Sequence, residues 1–222
     1  MKLLFSWSTG KDSALALYDC LNDPGQLITG LWTTINDHND TISFHGVSRH
    51  LVKAQAEAIG LPLTLTNLPE NCTNTQYEEL IKKVLVSVKE NGVTGVAFAD
   101  LFLQDIRDYR VKQVNDIGLK GIFPLWQHST IRTAHRFLAT GFKAVITTVD
   151  STKIDPKWIG RAYDEEFLRD LSANVDPCGE NGEFHTFVYA GPIFKYSIPY
   201  VITHEVKNGP YITAILTCGL EG

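Results

Sequence analysis

A chain of 222 residues, 44% hydrophobic and 20% charged, has the make-up of a globular protein and length for one large core or two small ones. A formal net charge of −5 without a dense Lys/Arg run argues against a general nucleic-acid binder, and no apolar run of about 20 residues provides a transmembrane helix. Cys20, Cys72, Cys178 and Cys218 are scattered without zinc-like spacing, which predicts free thiols and a cytoplasmic location.

In chain order, residues 2–7 read as a buried strand and 12–22 as a helix. Residues 26–35 are a second strand, and Val47, Leu51, Ala54, Ala58 and Ile59 recur at helical spacing until Gly60 stops them. Residues 61–68 form the next strand. Thr75 with Glu78 has capping-box form and opens a helix with Tyr77, Leu80, Ile81, Val84 and Val88 on one face, ended by Gly92. A strand at 93–100 and a helix at 105–117, stopped by Gly118, complete the alternation. Strands alternating with helices predict an α/β fold with a parallel sheet covered on both faces, whose ligands bind at the carboxyl ends of the strands. Ser8, Asp37, His38 and Asp100 are placed there. Beyond about residue 125 the pattern changes. A helix at 129–140, a strand at 143–149, a short helix begun by Asp155-Pro156, and a hairpin with Asn208-Gly209 in its turn predict a smaller α+β domain. The expected domains are 1–125 and 126–222.

The loop "SWSTGKDS" (6–13) joins the first strand to the first helix. Backbone N–H groups and the positive end of the helix dipole converge there, which favours phosphate. Gly10 permits close approach, Lys11 supplies a point charge, Ser8 and Ser13 supply hydroxyls, and Asp12 can cap the helix. The Walker pattern fails, because Phe5 and Asp12 stand where a glycine and a Ser/Thr belong. A bare helix cap is the competing reading. The second cluster, "CGENGEFHTFV" (178–188), packs Glu180, Glu183 and His185 into six positions. Asn181-Gly182 can turn the chain so that the two carboxylates approach, to hold Mg²⁺, bind an amine or share a proton, with His185 titrating near neutrality. A solvated turn before an ordinary strand is the alternative.

The loop Ser8-Thr9-Gly10-Lys11-Asp12-Ser13 resembles the S-G-G-x-D-S signature of the PP-loop ATP pyrophosphatases, with Thr9 in place of the first glycine. The stretch 178–188 resembles the GE-x-GE-[FY]-HT signature of one branch of that superfamily, the diphthine–ammonia ligase family, and 45–63 and 98–126 resemble further segments of it. The resemblance implies a Rossmann-like domain of the adenine nucleotide α-hydrolase type followed by a smaller domain, with ATP and acceptor meeting in the cleft. It implies that ATP, with Mg²⁺, activates the carboxylate of diphthine on translation elongation factor 2, that ammonium displaces AMP, and that pyrophosphate is released. Carried onto this chain, Ser8, Thr9, Gly10, Lys11, Asp12 and Ser13 hold the nucleotide. Lys11, Glu180, Glu183 and His185 act in catalysis, and Asn181, Gly182 and Thr186 face the acceptor.

Outside these motifs, Asp100 is a candidate acceptor or metal contact, His45 a candidate loop over the nucleotide with Arg49 and His50 beyond, and Thr33 with Thr34 a candidate adenine contact. Trp7, Trp32 and Trp126 read as core. Cys178, read as a sulfur-transfer nucleophile, lacks a partner cysteine and an activating neighbour. A nucleotide sensor without turnover and a tRNA-modifying PP-loop enzyme are the alternative functions, and a homodimer stays open.

Overall fold

The computed structural model describes residues 1–42 and 45–219. Five strands form a wholly parallel sheet: β1 (Lys2–Ser6), β2 (Leu27–Asn36), β3 (Leu63–Leu68), β4 (Gly95–Ala97) and β5 (Lys120–Ile122), in spatial order β3-β2-β1-β4-β5. The crossovers are α1 (Lys11–Asn22), α2 (Arg49–Ile59), α3 (Asn74–Glu90) and α4 (Gln104–Asn115). Alternation along β1 explains the layering. Leu3 and Phe5 face the core shared with α1 and α2, while Leu4 faces the one shared with Ile81 and Leu85 of α3 and Val114 of α4.

The chain then leaves this sheet. After α5 (Thr130–Ala139), β6 (Lys143–Asp150) becomes the centre of a second, antiparallel sheet. β7 (Ala162–Tyr163) and β8 (Phe184–Ala190) pair with β6, α6 (Glu165–Asp170) lies between them in sequence, and the hairpin β9 (Tyr200–Asn208) and β10 (Tyr211–Cys218) completes the sheet through β10. α1 packs on β8 and α2 on β10, so a layer of helices lies between the two sheets and one apolar core runs across both. All four cysteines are free.

Four local expectations are corrected. The capping box is Thr73 with Gln76, not Thr75 with Glu78. Both pairs have the required spacing, and the earlier one closes both reciprocal hydrogen bonds, drawing Thr75 and Glu78 into the helix. The hairpin turn is Gly209-Pro210: Asn208 and Tyr211 still pair, and Gly209 takes the positive φ of 59° that a two-residue turn with proline second requires. Asp12 does not cap α1, whose N-cap is Gly10 without a side-chain bond, because the Asp12 carboxylate is drawn onto Lys11. β4 is also shorter than read, so Asp100 lies three residues beyond its end.

Candidate functional site

The carboxyl ends of β1 and β4 open onto a cavity of about 260 Å³, closed on its far side by the segment leading into β8. Ser8, Gly10, Lys11, Asp12 and Ser13 form one wall; Cys178, Glu180, Gly182, His185 and Thr186 form the other; His45, Asp100 and Arg110 complete it. Residues 165 or more positions apart in the chain thus meet across a single opening.

The loop wall is knitted together by its own hydroxyls. Ser13 Oγ accepts from the Ser8 amide at 3.2 Å and lies 2.9 Å from Ser8 Oγ, which in turn accepts from the Gly10 amide at 3.4 Å. The Lys11 amide donates to Thr186 Oγ1 at 3.0 Å, one of several direct bonds between the two motifs. Lys11 Nζ donates to Asp12 Oδ2 at 2.7 Å and to the Cys178 carbonyl, and lies 5.3 Å from the Phe184 ring centroid. Its side chain is only 4% exposed. Burial disfavours its charge, but the acidic groups around it, Asp12 first and then Cys178 and Glu180, together outweigh that and hold its pKa above the usual lysine value.

Thr9 occupies the position that most needs an explanation. Its φ is 72°, a conformation that β-branched residues rarely adopt, and it is fully buried with Oγ1 unpartnered among the described residues. The surrounding bonds hold it there. Its carbonyl accepts from the Val188 amide at 3.0 Å and from Gln55 Nε2 at 3.2 Å. Gln55 also donates to the Val188 carbonyl at 2.7 Å and accepts from Trp7 Nε1 at 2.8 Å, so one buried amide ties α2, the loop and β8 together.

On the opposite wall, the turn through Asn181-Gly182 forms, with Gly182 at φ 78° donating to the Gly179 carbonyl. The two carboxylates nevertheless engage different partners. Glu180 Oε1 accepts from the Leu101 amide at 2.9 Å and lines the cavity. Burial lifts its pKa to about 7, only partly opposed by that bond. Glu183, 3% exposed, turns into its own loop, where Oε1 accepts from the Asp176 amide and Asn181 Nδ2, each at 3.2 Å, and it is not among the cavity-lining residues. His185 and His45 face each other with ring centroids 4.6 Å apart. Burial drives the His45 pKa down to about 4, and burial with His45 alongside drives that of His185 well below the usual value, so both imidazoles are neutral at physiological pH.

Asp100 sits at the rim with Arg110 Nε 2.9 and 3.1 Å from its two oxygens; burial raises its pKa, against the pull of Arg110. Thr33 is buried and donates to the Trp7 carbonyl at 2.7 Å, and it does not line the cavity. Burial pushes the Cys178 thiol up, the opposite of what an activated nucleophile needs. Trp7 and Trp32 are core, as read. Among the described residues no group of three His, Cys, Asp or Glu could hold a metal ion by itself, and no helix is long and apolar enough to cross a membrane.

Two residues of this constellation, Gln55 and Arg110, are not singled out by the sequence motifs. Gln55 lies on the otherwise apolar face of α2, one turn from Leu51, where a lone amide is conspicuous. Arg110 follows Asp100 by ten positions on α4 and has no such mark.

The diphthamide synthase N-terminal domain model matches residues 1–121 and the C-terminal domain model residues 129–209. Among characterised relatives, the diphthine–ammonia ligase of Bos taurus is 27% identical over 89% of this chain and 84% of its own length. That of Mus musculus is 28% identical over 86% and 79%. The enzyme of Schizosaccharomyces pombe is 26% identical over 89% of this chain but only 36% of its own. With its loop, its second motif and both domain models in the same order, the chain belongs to the diphthamide synthase family.

Proposed function

We propose that this protein is an ATP-dependent, amide-forming ligase that converts the carboxylate of diphthine on translation elongation factor 2 to the amide, using ammonium and releasing AMP and pyrophosphate. The observation that carries the reading is the meeting of the two family motifs across one cavity, through the bond from the Lys11 amide to Thr186 Oγ1. We place the division of labour near residue 125: residues 1–125 hold the nucleotide and 126–222 bind the acceptor.

The chemistry follows from the difficulty of the reaction. A carboxylate repels nucleophiles and has no leaving group. Attack of its oxygen on the α-phosphorus of ATP forms a C–O–P mixed anhydride and breaks the bond to pyrophosphate. Ammonia then attacks the acyl carbon, the C–N bond forms, and AMP leaves with the C–O electron pair. Ser8 to Ser13 cradle the phosphates, and Lys11 stabilises the charge that builds on the departing pyrophosphate. Asp12, on the loop wall, is the carboxylate that would help hold a Mg²⁺ ion arriving with the nucleotide, and the ion would supply neutralisation of phosphate charge there. Ammonium must lose a proton before it attacks, and the adduct must lose another. Glu180, poised near pH 7 on the cavity wall, is suited to receive both in turn. His45 and His185, being neutral, do not compete with ammonium as cations, and Arg110 with Asp100, at the rim of the nucleotide domain, meets the acceptor that residues 126–222 bind. Glu183 shapes the turn that carries Glu180.

Incubation with ATP, Mg²⁺ and ammonium, with and without diphthine-bearing elongation factor, tests the proposal. AMP and pyrophosphate formed only with the factor, together with a mass change from acid to amide, are expected. ADP and phosphate as products would overturn the reaction class, and AMP formation indifferent to the factor would overturn the acceptor.

A further inference from the structure

The antiparallel sheet has an edge that no described element covers. β9 pairs with β10 on one side only, and residues 201–208 are all exposed. Among them Val201, Ile202 and Val206 are apolar and at least 40% exposed. An open strand edge offers a row of unpaired backbone donors and acceptors to another chain. Edges are commonly guarded by proline, by a bulge or by charge of one sign. β9 contains no proline, and its charges alternate in sign: Glu205 and Lys207, two residues apart, share one face of the strand. A bulge does interrupt it, since Ile215 pairs with His204 but Leu216 with Ile202, leaving Thr203 over. The regular stretch is therefore His204 to Asn208, and its midpoint is Val206.

We propose that this edge recognises a second copy of the same chain, the two β9 strands pairing antiparallel about a two-fold axis through Val206. In that register Glu205 lies opposite the partner's Lys207, and Lys207 opposite the partner's Glu205. Val206 meets the partner's Val206, and His204 faces the partner's Asn208. Opposite charges facing each other across strands stabilise a pair, and like charges there destabilise it. A two-fold axis normal to the sheet permits only registers centred on a residue. Centring on His204 instead would carry both strands across the Thr203 bulge and leave both charges without opposite partners. Charge complementarity thus selects both the register and the occupant: a strand running acid-to-base is matched by its own copy read backwards. The contact joins two antiparallel sheets into one and is small, so the dimer is weak and concentration-dependent.

Sedimentation velocity of the full chain over a concentration series tests this. The wild type is expected to pass from monomer to dimer as concentration rises. E205K and K207E each set like charges against each other at both symmetric positions and should weaken association about tenfold or more. The double variant E205K/K207E restores both pairs and should restore the dimer. Equal thermal unfolding curves for all four proteins confirm that the exposed substitutions leave the fold intact. A wild type that stays monomeric throughout, single variants that dimerise as well as the wild type, or a double variant no better than the singles would each overturn the proposal.

Discussion

The two walls of the cavity are built on opposite electrostatic principles. On the loop wall charge is fixed: Lys11 is buried, paired with Asp12 and tied to the Cys178 carbonyl, and neighbouring hydroxyls satisfy the backbone. On the opposite wall charge is conditional: Glu180 changes state near pH 7 and two imidazoles are held neutral. Preorganised charge suits a leaving group that is always anionic, and a titrating carboxylate suits a nucleophile that must be deprotonated. The division also separates what each wall contributes to stability, and substitutions can pull the two apart.

The largest effect is expected at Lys11. Lys11→Ala removes the buried cation and strands both Asp12 and the Cys178 carbonyl, so kcat/KM should fall about a thousandfold. Stability should fall too, by about 3 kcal/mol, because a buried pair has lost one partner. Steady-state kinetics and urea unfolding check both. Equal activity with lowered stability would make Lys11 a strut rather than part of the chemistry.

Glu180→Gln comes next and separates the walls most cleanly. Activity should fall about a hundredfold, and whatever remains should no longer rise with pH through about 7. The stability effect has a definite sign. In the folded protein Glu180 keeps its proton from its ordinary value near 4.5 up to about 7, whereas the unfolded chain releases it. The folded state binds more protons across that window, so stability declines as pH rises through it, by an amount of the order of 3 kcal/mol. Glu180→Gln should abolish that decline and leave the variant more stable than wild type above pH 7, as unfolding at a series of pH values will show.

Gln55→Leu probes what joins the walls. It leaves Trp7 Nε1 without its acceptor and removes a donor from the Thr9 and Val188 carbonyls, at about 2 kcal/mol. Nucleotide affinity should weaken only through the displaced loop, a several-fold rise in Kd against an unchanged pH profile.

How much of this was legible in the sequence follows the range of the interactions. The parallel sheet and α1 to α5 follow from local periodicity and glycine stops, and the loop from residue types that have few other reasons to sit between a strand and a helix. Where two local solutions competed, as with Thr73-Gln76 against Thr75-Glu78, hydrogen-bond closure decided, and spacing alone did not reveal it. The change of pattern after about residue 125 places β6 in the smaller domain, but its position at the centre of the second sheet was not legible, because strand pattern alone does not fix which neighbours a strand takes. The direction of each side chain was also hidden. Glu180 and Glu183 are near-equivalent in sequence, yet one faces the cavity and the other its own turn, because the partners that sort them, Leu101 and Asp176, lie on different sides.

Thr9 marks the point where local preference and tertiary context oppose each other most directly. A β-branched residue at φ 72° is disfavoured by about 1–2 kcal/mol, and an unpartnered buried hydroxyl adds to that. The bonds from Val188 and Gln55 to its carbonyl impose the conformation nonetheless. Thr9→Gly should remove the backbone strain and the stranded hydroxyl together, offset by glycine's greater freedom in the unfolded chain, about 0.5–1 kcal/mol. The expected net gain is therefore small, about 0.5–1 kcal/mol, or a rise of a few degrees in Tm. Gly10→Ala should move the other way, because its new Cβ would stand 3.3 Å from both the Thr186 carbonyl oxygen and His45 Cε1, where the two walls touch. If Thr9→Gly raises Tm while nucleotide affinity holds, the loop's shape is imposed from β8 and Gln55, and the residue at position 9 merely tolerates it. If affinity falls as stability rises, the strain is part of the binding geometry, and the fixed wall owes its rigidity to a residue held in a conformation it disfavours.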